Sequence, residues 1–356
     1  MSTLHIEQVA KRKTIPNTSE LVFGKHYSDH MFLMNYEEGK GWFDPRIVPY
    51  QPISLDPAAM IFHYGQTVFE GLKAYRTDDD QILLFRPEEN VKRLNRSSER
   101  LSIPKVNVEE VLQYLKELVK LDQEWIPTEE GYSLYIRPFI ISTEPNLSVA
   151  PSKTYTFMII LSPVGSYYKE GIQPVRIHVE ENYTRAVKGG TGFAKTAGNY
   201  SAAYKAQEKA TEEGYSQVLW LDGIEKKYIE EVGSMNVFFK INGEVITPKL
   251  NGSILEGITR KSIIELLNSW EMKVSERQIS IEELFAAYEK GEVEEVFGTG
   301  TAAVISPIGE MKWKDRQIII NNRQTGELAK KLYSTLTRIQ TGKESDPFGW
   351  VVKVNN

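Results

Sequence analysis

The residues with the clearest chemical potential lie in a glycine-rich segment, residues 189–200, with the sequence GGTGFAKTAGNY. Small residues surround Lys195, so the segment predicts a loop in which the backbone, rather than a helix face, presents the amine. Such an amine can contact a phosphate or condense with an aldehyde to form a Schiff base. These two chemistries make different demands on the rest of the chain.

Phosphate binding in a P-loop fits the segment poorly. Residues 189–196 depart from the pattern G-x-x-x-x-G-K-[ST] at Ala194, where the P-loop needs glycine. A charged stretch, residues 180–188, also separates the glycines from the preceding strand candidate at residues 175–179. Of the two chemistries, the pattern therefore favours a Schiff-base lysine with an aldehyde cofactor such as pyridoxal phosphate. For the segment taken alone, a surface lysine in a flexible loop is the preferred interpretation, and the Schiff base needs support from other features.

A pyridoxal cofactor would need a carboxylate for its ring nitrogen and an anion site for its phosphate. On the strand candidate at residues 227–232, Glu230 and Glu231 alternate in direction, so we expect one to point inward and the other to meet water. Residues 251–260 form a turn-rich entry to a helix, which suits a phosphate. Exposed glutamates and a plain loop-to-helix junction are the open alternatives.

A substrate carboxylate would need further donors. The two-residue spacing of Tyr135 and Arg137 places both on one face of a strand, an arrangement that suits a carboxylate and equally a salt bridge. Residues 297–303 end a strand in a turn of small residues, whose amides can point at an anion or simply join two strands. Aromatic residues within 63–71 line either a pocket or the core.

Composition limits the class of protein. The chain has 356 residues, of which 41% are hydrophobic and 26% charged, as in a globular protein of two ordinary domains. It has no cysteine, which excludes disulfides and thiolate catalysis, and its five histidines show no metal-ligand clustering. The net charge of −5 argues against nucleic acid or a membrane as partner. Without an apolar leader or membrane-length segment, we expect a cytoplasmic enzyme that binds no metal.

Periodicity and turn signals predict mixed α/β structure. The predicted strands are residues 81–85, 132–141 and 154–161, followed by hairpins around Asp222-Gly223 and Asn242-Gly243. The predicted helices are residues 87–101, 107–121, 201–213, 258–270, 281–290 and 326–340. A capping box from Ser280 to Glu283 opens the fifth of these. We predict a small α/β domain at residues 1–162, a linker at 163–173 and a hairpin-rich domain at 174–356 that carries the lysine.

Four segments occur together in an order that resembles the branched-chain amino acid aminotransferases, pyridoxal-phosphate enzymes of fold type IV. They are residues 198–200 (GNY), 231–236 (EVGSMN), 255–260 (LEGITR) and 298–302 (GTGTA). The resemblance covers residues 27–340. It implies a two-domain α/β fold with mixed sheets, similar to D-amino acid aminotransferase, and pyridoxal phosphate as cofactor.

The same resemblance implies roles for residues around the cofactor. Lys195 would form the Schiff base and shuttle the proton, Glu231 would pair with the ring nitrogen, and Tyr200 would donate to the phenolate oxygen. The phosphate would be held by Arg93, by the amides of Ile258 and Thr259, and by Thr299 or Thr301. Arg185 matches a position near the cofactor.

For the substrate, the resemblance implies that Tyr135 and the turn amides of Thr301 and Ala302 bind the α-carboxylate. Arg137 would bind the γ-carboxylate of glutamate. The side-chain pocket would be lined by Tyr27, Tyr64 and Phe69.

The implied reaction is reversible transamination of leucine, isoleucine and valine with 2-oxoglutarate, in a homodimer whose partners are small amino acids and 2-oxo acids. A D-amino acid aminotransferase or another fold type IV enzyme is the nearest alternative. A P-loop nucleotide hydrolase and a non-catalytic binding protein are more distant ones.

Overall fold

Two mixed sheets form the framework of the structure, a computed structural model that describes residues 3–167 and 172–354. The strands are β1 His5–Ile6, β2 His30–Glu37, β3 Gly41–Pro49, β4 Thr67–Phe69, β5 Leu72–Arg76, β6 Ile82–Phe85, β7 Ser133–Ser142, β8 Thr154–Val164, β9 Val175–Glu180, β10 Gln217–Leu221, β11 Ile229–Val232, β12 Asn236–Ile241, β13 Glu244–Pro248, β14 Val274–Arg277, β15 Val293–Gly300, β16 Val304–Trp313, β17 Arg316–Ile319 and β18 Val351–Lys353. The helices are α1 Met60–Tyr64, α2 Pro87–Arg100, α3 Val108–Leu121, α4 Ala197–Ser201, α5 Tyr204–Glu212, α6 Ile258–Ser269, α7 Ile281–Glu289 and α8 Glu327–Gln340. The predicted mixed α/β class is confirmed.

The first structural unit comprises Met1–Tyr167, Ala194–Ala197 and Arg338–Asn356. Its sheet has the order β1-β3-β2-β8-β7-β5-β6-β18, and β4 pairs with β7. Apolar residues of α2 and α3 pack with the sheet residues into one buried core. The sheet thereby fixes β7, which carries Tyr135 and Arg137, and its neighbour β4, which carries Phe69.

The second unit comprises Tyr168–Phe193 and Gly198–Thr337. Its sheet has the order β11-β10-β9-β16-β15-β12-β13-β14, and β17 pairs with β16. Parallel pairs join β9 to β10 and β16, and β13 to β14, whereas the hairpins are antiparallel. The buried face holds residues of these strands and of α7.

These units differ from the predicted domain boundaries in two places. The short segment Ala194–Ala197 and the end of the chain, Arg338–Asn356, make their contacts with the first unit rather than with residues 174–337. Of the predicted linker 163–173, the first residues complete β8, and residues 168–171 lie outside the described residues. The lysine therefore belongs to the unit of the predicted small domain.

Local signals placed most helix boundaries correctly. Asn107 caps α3 by accepting from the Glu110 amide at 3.0 Å. The predicted capping box is present, since Ser280 Oγ accepts from the Glu283 amide at 3.0 Å. The helix predicted at residues 201–213 is instead split into the short α4 and the helix α5.

Both predicted hairpins are present as antiparallel strand pairs, but their connecting loops differ in length. Asn242 and Gly243 have the positive φ angles of a two-residue turn, 49° and 75°, and join β12 to β13 as predicted. Between β10 and β11 the loop is longer, because Asp222 accepts from the amides of Ile224, Glu225, Lys227 and Tyr228. Gly223 serves close packing there, since a Cβ on it would collide with Val187 and Thr184.

Candidate active site

Backbone contacts within the first unit hold Lys195. Its amide donates to Ser97 Oγ of α2 at 2.8 Å, and its carbonyl accepts from the Phe69 amide of β4 at 3.0 Å. The next residue, Thr196, bridges Val68 and donates through Oγ1 to the Thr67 carbonyl at 2.7 Å. The lysine is thus presented by an extended backbone tied to a strand, as the glycine-rich pattern predicts.

The ring of Phe69 lies beside two cations of the first unit, Lys195 and Arg137. Lys195 Nζ is 5.0 Å from the centroid of Phe69, and Arg137 Cζ is 4.9 Å from the same centroid. Arg137 Nη2 also donates to Tyr135 Oη at 3.0 Å. Lys195, Phe69, Arg137 and Tyr135 therefore form one contiguous group, which we call the lysine group.

Arg137 retains hydrogen-bonding capacity within this group. Its Nε atom is buried and finds no hydrogen-bond partner among the described residues. A buried donor without a partner carries a desolvation cost that a bound acceptor removes. The guanidinium is therefore suited to bind an anion, and a carboxylate matches its geometry best.

Tyr135 is fixed by close packing. A Cβ on Gly71 would collide with its hydroxyl, so glycine is required there, and Phe23 packs edge-on against its ring at 4.8 Å. Lys73 of β5 lies opposite Tyr135 in the strand register. Burial lowers the pKa of Lys73 to about 8, so this face of the sheet carries a third cationic side chain.

The other two predicted pocket residues are placed by contacts elsewhere in the first unit. Tyr27 stacks on Tyr50, with centroids 5.0 Å apart and an angle of 7° between the rings. Tyr64, at the end of α1, donates from its hydroxyl to the Leu147 carbonyl. Their predicted role in a side-chain pocket stays a prediction.

Arg93, predicted to bind phosphate, is engaged by a carboxylate that sequence analysis gave no role. Its Nε and Nη2 donate to the two carboxylate oxygens of Glu70 at 2.7 and 2.9 Å, and Asn90 Nδ2 donates to Glu70 at 2.7 Å. Burial opposes the charge of Glu70, but the Arg93 charge and hydrogen bonds, the Lys195 charge and Asn90 together hold its pKa below the usual range. Arg93 is therefore oriented by a charged partner. Glu70 and Arg93 are 23 residues apart in the sequence, so no local sequence pattern reveals the pair.

The second unit holds the predicted ring-nitrogen partner, Glu231. Its Oε1 accepts from the Leu255 amide at 2.9 Å, and its Oε2 lies 3.2 Å from Arg185 Nε. Arg185 in turn donates through Nη2 to the Ser253 carbonyl. Both Arg185 and Glu231 have buried side chains. The carboxylate of Glu231 is therefore buried beside a cation and an amide donor, and a carboxylate is the partner that a protonated pyridine nitrogen requires.

The expectation that one of the two neighbouring glutamates meets water is wrong. Glu230 is as buried as Glu231. Its Oε1 accepts from Asn251 Nδ2 at 3.0 Å and from the hydroxyl of Ser253. Strand alternation does set the two carboxylates on opposite faces, but the 251–254 loop covers the second face. Glu230 therefore fixes that loop.

Several predicted phosphate donors lie close together in the second unit. Helix α6 begins at Ile258 and Thr259 after Gly257, which provides no side-chain cap. A Cβ on Gly257 would collide with Asn236 Oδ1, and Asn236 pairs with Thr299 across β12 and β15. The uncapped amides thus stay open to an anion.

Thr299 supplies a further observation in favour of an anion site. Its Oγ1 is buried and has no hydrogen-bond partner among the described residues. The hydroxyl of a threonine donates readily to a phosphate oxygen. An uncapped helix start and an orphaned hydroxyl linked through Asn236 fit the phosphate of the predicted cofactor.

The remaining predicted residues occupy turns. β15 ends at Gly300, and the turn through Thr301 and Ala302 leads into β16 at Val304, which has a φ of 61°. Tyr200 lies on α4, which the side chain of Asn199 ties to Thr191 by two hydrogen bonds of 2.8 Å. The predicted small-residue turn is therefore present, and the roles of its amides stay predictions.

The P-loop alternative fails on geometry. Strand β9 ends at Glu180, whose carboxylate accepts from the Asn182 and Tyr183 amides, so a separate turn follows the strand. The helix after Lys195, α4, has five residues and begins after the lysine. A P-loop would require the glycines to connect a strand directly to a long helix.

Metal-binding clusters and membrane-spanning helices are both absent from the described residues. Within residues 3–167 and 172–354, no group of three or more His, Asp or Glu side chains is placed to hold a metal ion. Over the same ranges, no helix is both long and apolar enough to cross a membrane.

Comparison with known proteins gives consistent matches. Residues 67–311 match the family described as amino-transferase class IV. Branched-chain-amino-acid aminotransferase 2 of Bacillus subtilis (strain 168) is 64% identical over 99% of this chain and 97% of that protein. A probable branched-chain-amino-acid aminotransferase of Staphylococcus aureus (strain N315) is 57% identical over 98% of each chain.

Solved structures agree in fold. A crystal structure of the Escherichia coli branched-chain amino acid aminotransferase has a TM-score of 0.75 and 26% identity, covering 92% of this chain and 99% of that one. The T.th. branched-chain amino acid aminotransferase with pyridoxamine 5′-phosphate has a TM-score of 0.75 and 28% identity, covering 90% of this chain and 98% of that one.

Proposed function

Because this chain belongs to the class IV aminotransferases, within the branched-chain amino acid aminotransferases, we propose that it transfers the amino group of L-leucine, L-isoleucine or L-valine reversibly to 2-oxoglutarate. The products are the branched 2-oxo acid and L-glutamate. The observation that carries the proposal is the lysine group, in which a reactive amine and a guanidinium lie beside the same Phe69 ring.

Pyridoxal 5′-phosphate is the proposed cofactor, and Lys195 is its proposed attachment point. When bound, this cofactor supplies an aldehyde that condenses with amines and an electron-withdrawing ring that stabilises negative charge on the substrate Cα. The buried carboxylate of Glu231 is proposed to pair with its ring nitrogen, and the hydroxyl of Tyr200 is proposed to donate to its phenolate oxygen. The orphaned Thr299 hydroxyl and the uncapped start of α6 fit its phosphate.

Lys195 is proposed to move the proton at the substrate Cα. The Lys195 amide and carbonyl are fixed by hydrogen bonds to Ser97 and Phe69. The amine can therefore move only by rotation about the bonds of the Lys195 side chain. Restricting a base in this way keeps it near the proton it must transfer. Glu231, whose Oε2 lies 3.2 Å from Arg185 Nε, is proposed to keep a proton on the ring nitrogen.

Phosphate binding is proposed for the amides of Ile258 and Thr259, for Thr299 or Thr301, and for Arg93. Glu70 holds two nitrogens of Arg93, which orients the guanidinium and leaves the pair close to electrically neutral. We therefore propose that Arg93 acts as a rigid hydrogen-bond donor, with the helix start supplying much of the attraction for the anion.

Substrate binding poses a conflict, because one pocket must accept both an apolar side chain and the γ-carboxylate of glutamate. Burying an unpaired carboxylate in an apolar pocket is costly. Arg137, with its buried donor Nε and its stacking on Phe69 and Tyr135, is proposed to bind that carboxylate. Aromatic rings cover the guanidinium when the substrate is apolar.

The substrate α-carboxylate is proposed to accept from the turn amides of Thr301 and Ala302 and from the hydroxyl of Tyr135. The aromatic residues proposed to line the side-chain pocket are Tyr27, Tyr64 and Phe69. Arg185 is proposed to act on the cofactor through Glu231, with which it pairs.

Glutamate formation from L-leucine and 2-oxoglutarate in the presence of pyridoxal phosphate tests the proposed function. We expect activity in the wild-type protein, loss of turnover in Lys195→Ala, and normal turnover in the control Lys188→Ala, an exposed lysine of the same loop. Substantial activity in Lys195→Ala would refute the assignment of the lysine. Turnover of D-alanine but not of L-leucine would favour a D-amino acid aminotransferase.

We also propose that the protein is a homodimer. Among the exposed apolar side chains of the first unit, the most exposed are Phe62 (61%), Leu147 (62%) and Val149 (89%). A bridge between Ala59 and Pro145 brings the helix α1 next to the loop that carries two of them. Exposed apolar patches of this kind mark contact surfaces, and a second copy of the chain is the commonest partner.

Sedimentation of Val149→Asp tests this surface. We expect a monomer, whereas the control Ile224→Asp, a similarly exposed apolar position in the second unit, should stay dimeric. A wild-type protein that sediments as a monomer would contradict the homodimer. A cytoplasmic location remains a prediction of the sequence.

A further inference from the structure

A short segment near the N-terminus, residues 9–13, is bound to the segment that leads into β2, and we call it the N-terminal strap. The Val9 amide donates to His30 Nε2 at 3.0 Å, and the Lys13 amide donates to Asp29 Oδ1 at 2.8 Å. The Lys13 ammonium donates to the Ser28 carbonyl at 2.7 Å. The two ends of the strap are therefore hydrogen-bonded to three consecutive residues.

Those residues are themselves anchored in the interior. His30 Nδ1 lies 2.6 Å from Asp122 Oδ1, and the His30 amide donates to Asp122 Oδ2 at 2.9 Å. Asp29 accepts from Trp125 Nε1 at 3.0 Å. Asp29, His30 and Asp122 are all almost completely buried. The strap thus binds to a rigid base rather than to a surface loop.

Tyr27 immediately precedes Ser28, and Lys13 contacts both the Tyr27 backbone and the ring on which Tyr27 stacks. The Lys13 ammonium is 3.4 Å from the Tyr27 carbonyl. The same ammonium lies 4.6 Å from the centroid of Tyr50, the ring on which Tyr27 stacks. Tyr27 Oη donates to the Gly24 carbonyl at 3.0 Å. The direction of the Tyr27 ring therefore depends on the backbone that Lys13 fixes and on the ring that Lys13 covers.

We propose that Lys13 is a positioning residue for Tyr27, and that the N-terminal strap thereby sets the preference for long over short aliphatic substrate side chains. This inference rests on the proposed function, in which Tyr27 lines the side-chain pocket. The side chain of leucine is one carbon longer than that of valine. Its terminal methyl groups therefore depend more on packing against a Tyr27 ring held in a fixed position. Loosening that ring should weaken leucine more than valine.

The test compares kcat/KM for L-leucine and L-valine in Lys13→Met, which keeps a similar side-chain length and removes the ammonium. We expect the ratio of kcat/KM for leucine to kcat/KM for valine to fall about fivefold. One methylene group in a well-formed pocket changes kcat/KM by about 10- to 200-fold, and the variant should lose a part of that discrimination. Lys13→Arg should restore most of the ratio. The control Lys11→Met changes an exposed lysine of the same strap and should leave the ratio unchanged.

Both substrates are measured on one preparation, so a lower fraction of folded enzyme cannot change the ratio. In the background of Tyr27→Ala, Lys13→Met should have no further effect on the ratio, because the ring that it positions is absent. An unchanged ratio in Lys13→Met, or an equal effect with and without Tyr27, would overturn the inference. A wild-type protein without leucine transamination would instead refute the proposed function.

Discussion

Replacing Lys73 with methionine is expected to change how the stability of the protein depends on pH. Burial lowers the pKa of Lys73 from its usual 10.5 to about 8. One pKa unit corresponds to about 1.4 kcal/mol, so the charged lysine destabilises the folded protein by about 3 kcal/mol at pH 7. Methionine has a similar length and no charge to bury.

The sign and the pH window follow from the lowered pKa. The charged form is disfavoured in the folded state, so the destabilisation is complete below pH 8 and disappears as pH rises through 10.5. At pH 10 about 1 kcal/mol of it remains. The advantage of Lys73→Met over wild type should therefore shrink by about 2.5 kcal/mol between pH 7 and pH 10. A change in packing around the methionine shifts the stability of the variant equally at pH 7 and pH 10. The change in its advantage between the two pH values is therefore largely unaffected.

Urea unfolding of both proteins at pH 7, 9 and 10 measures this change in the free energy of unfolding. The control is Lys120→Met, since Lys120 is an exposed lysine in the same unit. We expect the difference in free energy of unfolding between Lys120→Met and wild type to stay constant from pH 7 to pH 10. If the difference between Lys73→Met and wild type is the same at pH 7 and pH 10, Lys73 titrates as an exposed lysine and the argument from burial is refuted.

Three further results are expected. Glu70→Gln should lower the free energy of unfolding by about 3–5 kcal/mol, because it leaves the buried Arg93 without its carboxylate partner. In urea unfolding, the double variant Glu70→Gln/Arg93→Met should recover much of the lost stability. A loss below about 1 kcal/mol in Glu70→Gln would contradict a buried ion pair. Asp222 is partly buried, which opposes its charge, but four amide donors hold its pKa below the usual range. Its stabilisation should therefore be present at neutral pH and lost as pH falls through the acidic range, whereas Asp222→Asn should lack this pH dependence in acid unfolding. Arg137→Met should reduce kcat/KM for L-glutamate by about 10- to 100-fold, as expected for a lost charge-assisted hydrogen bond, with little effect on L-leucine; equal losses for both would exclude Arg137 as the γ-carboxylate ligand.

Sequence predicted those features that neighbouring residues determine. The cap at Ser280 is predictable because the capping side chain and the Glu283 amide that it binds lie three residues apart. The turn at Asn242-Gly243 was found because both residues accept positive φ angles. Lys195 was singled out for the same reason, since small residues on both sides indicate a loop.

Features that depend on distant residues were missed or misjudged. Gly223 lies in a predicted hairpin, but its need for glycine comes from close packing against Thr184 and Val187, which are distant in the sequence. One of Glu230 and Glu231 is expected from the strand pattern to meet water, but both are buried, and Asn251 of the 251–254 loop binds Glu230. Glu70 meets its partner Arg93 only when β4 and α2 come together in the fold, so no local spacing reveals the pair.

The most direct test of the account is an absorbance titration of the purified protein loaded with pyridoxal phosphate. We predict a visible band that L-leucine alone removes and that 2-oxoglutarate then restores, which requires the cofactor, both half-reactions and both substrates. Lys195→Ala should not complete this cycle. A protein that takes up no pyridoxal phosphate, or whose band L-leucine leaves unchanged, would contradict the central claim.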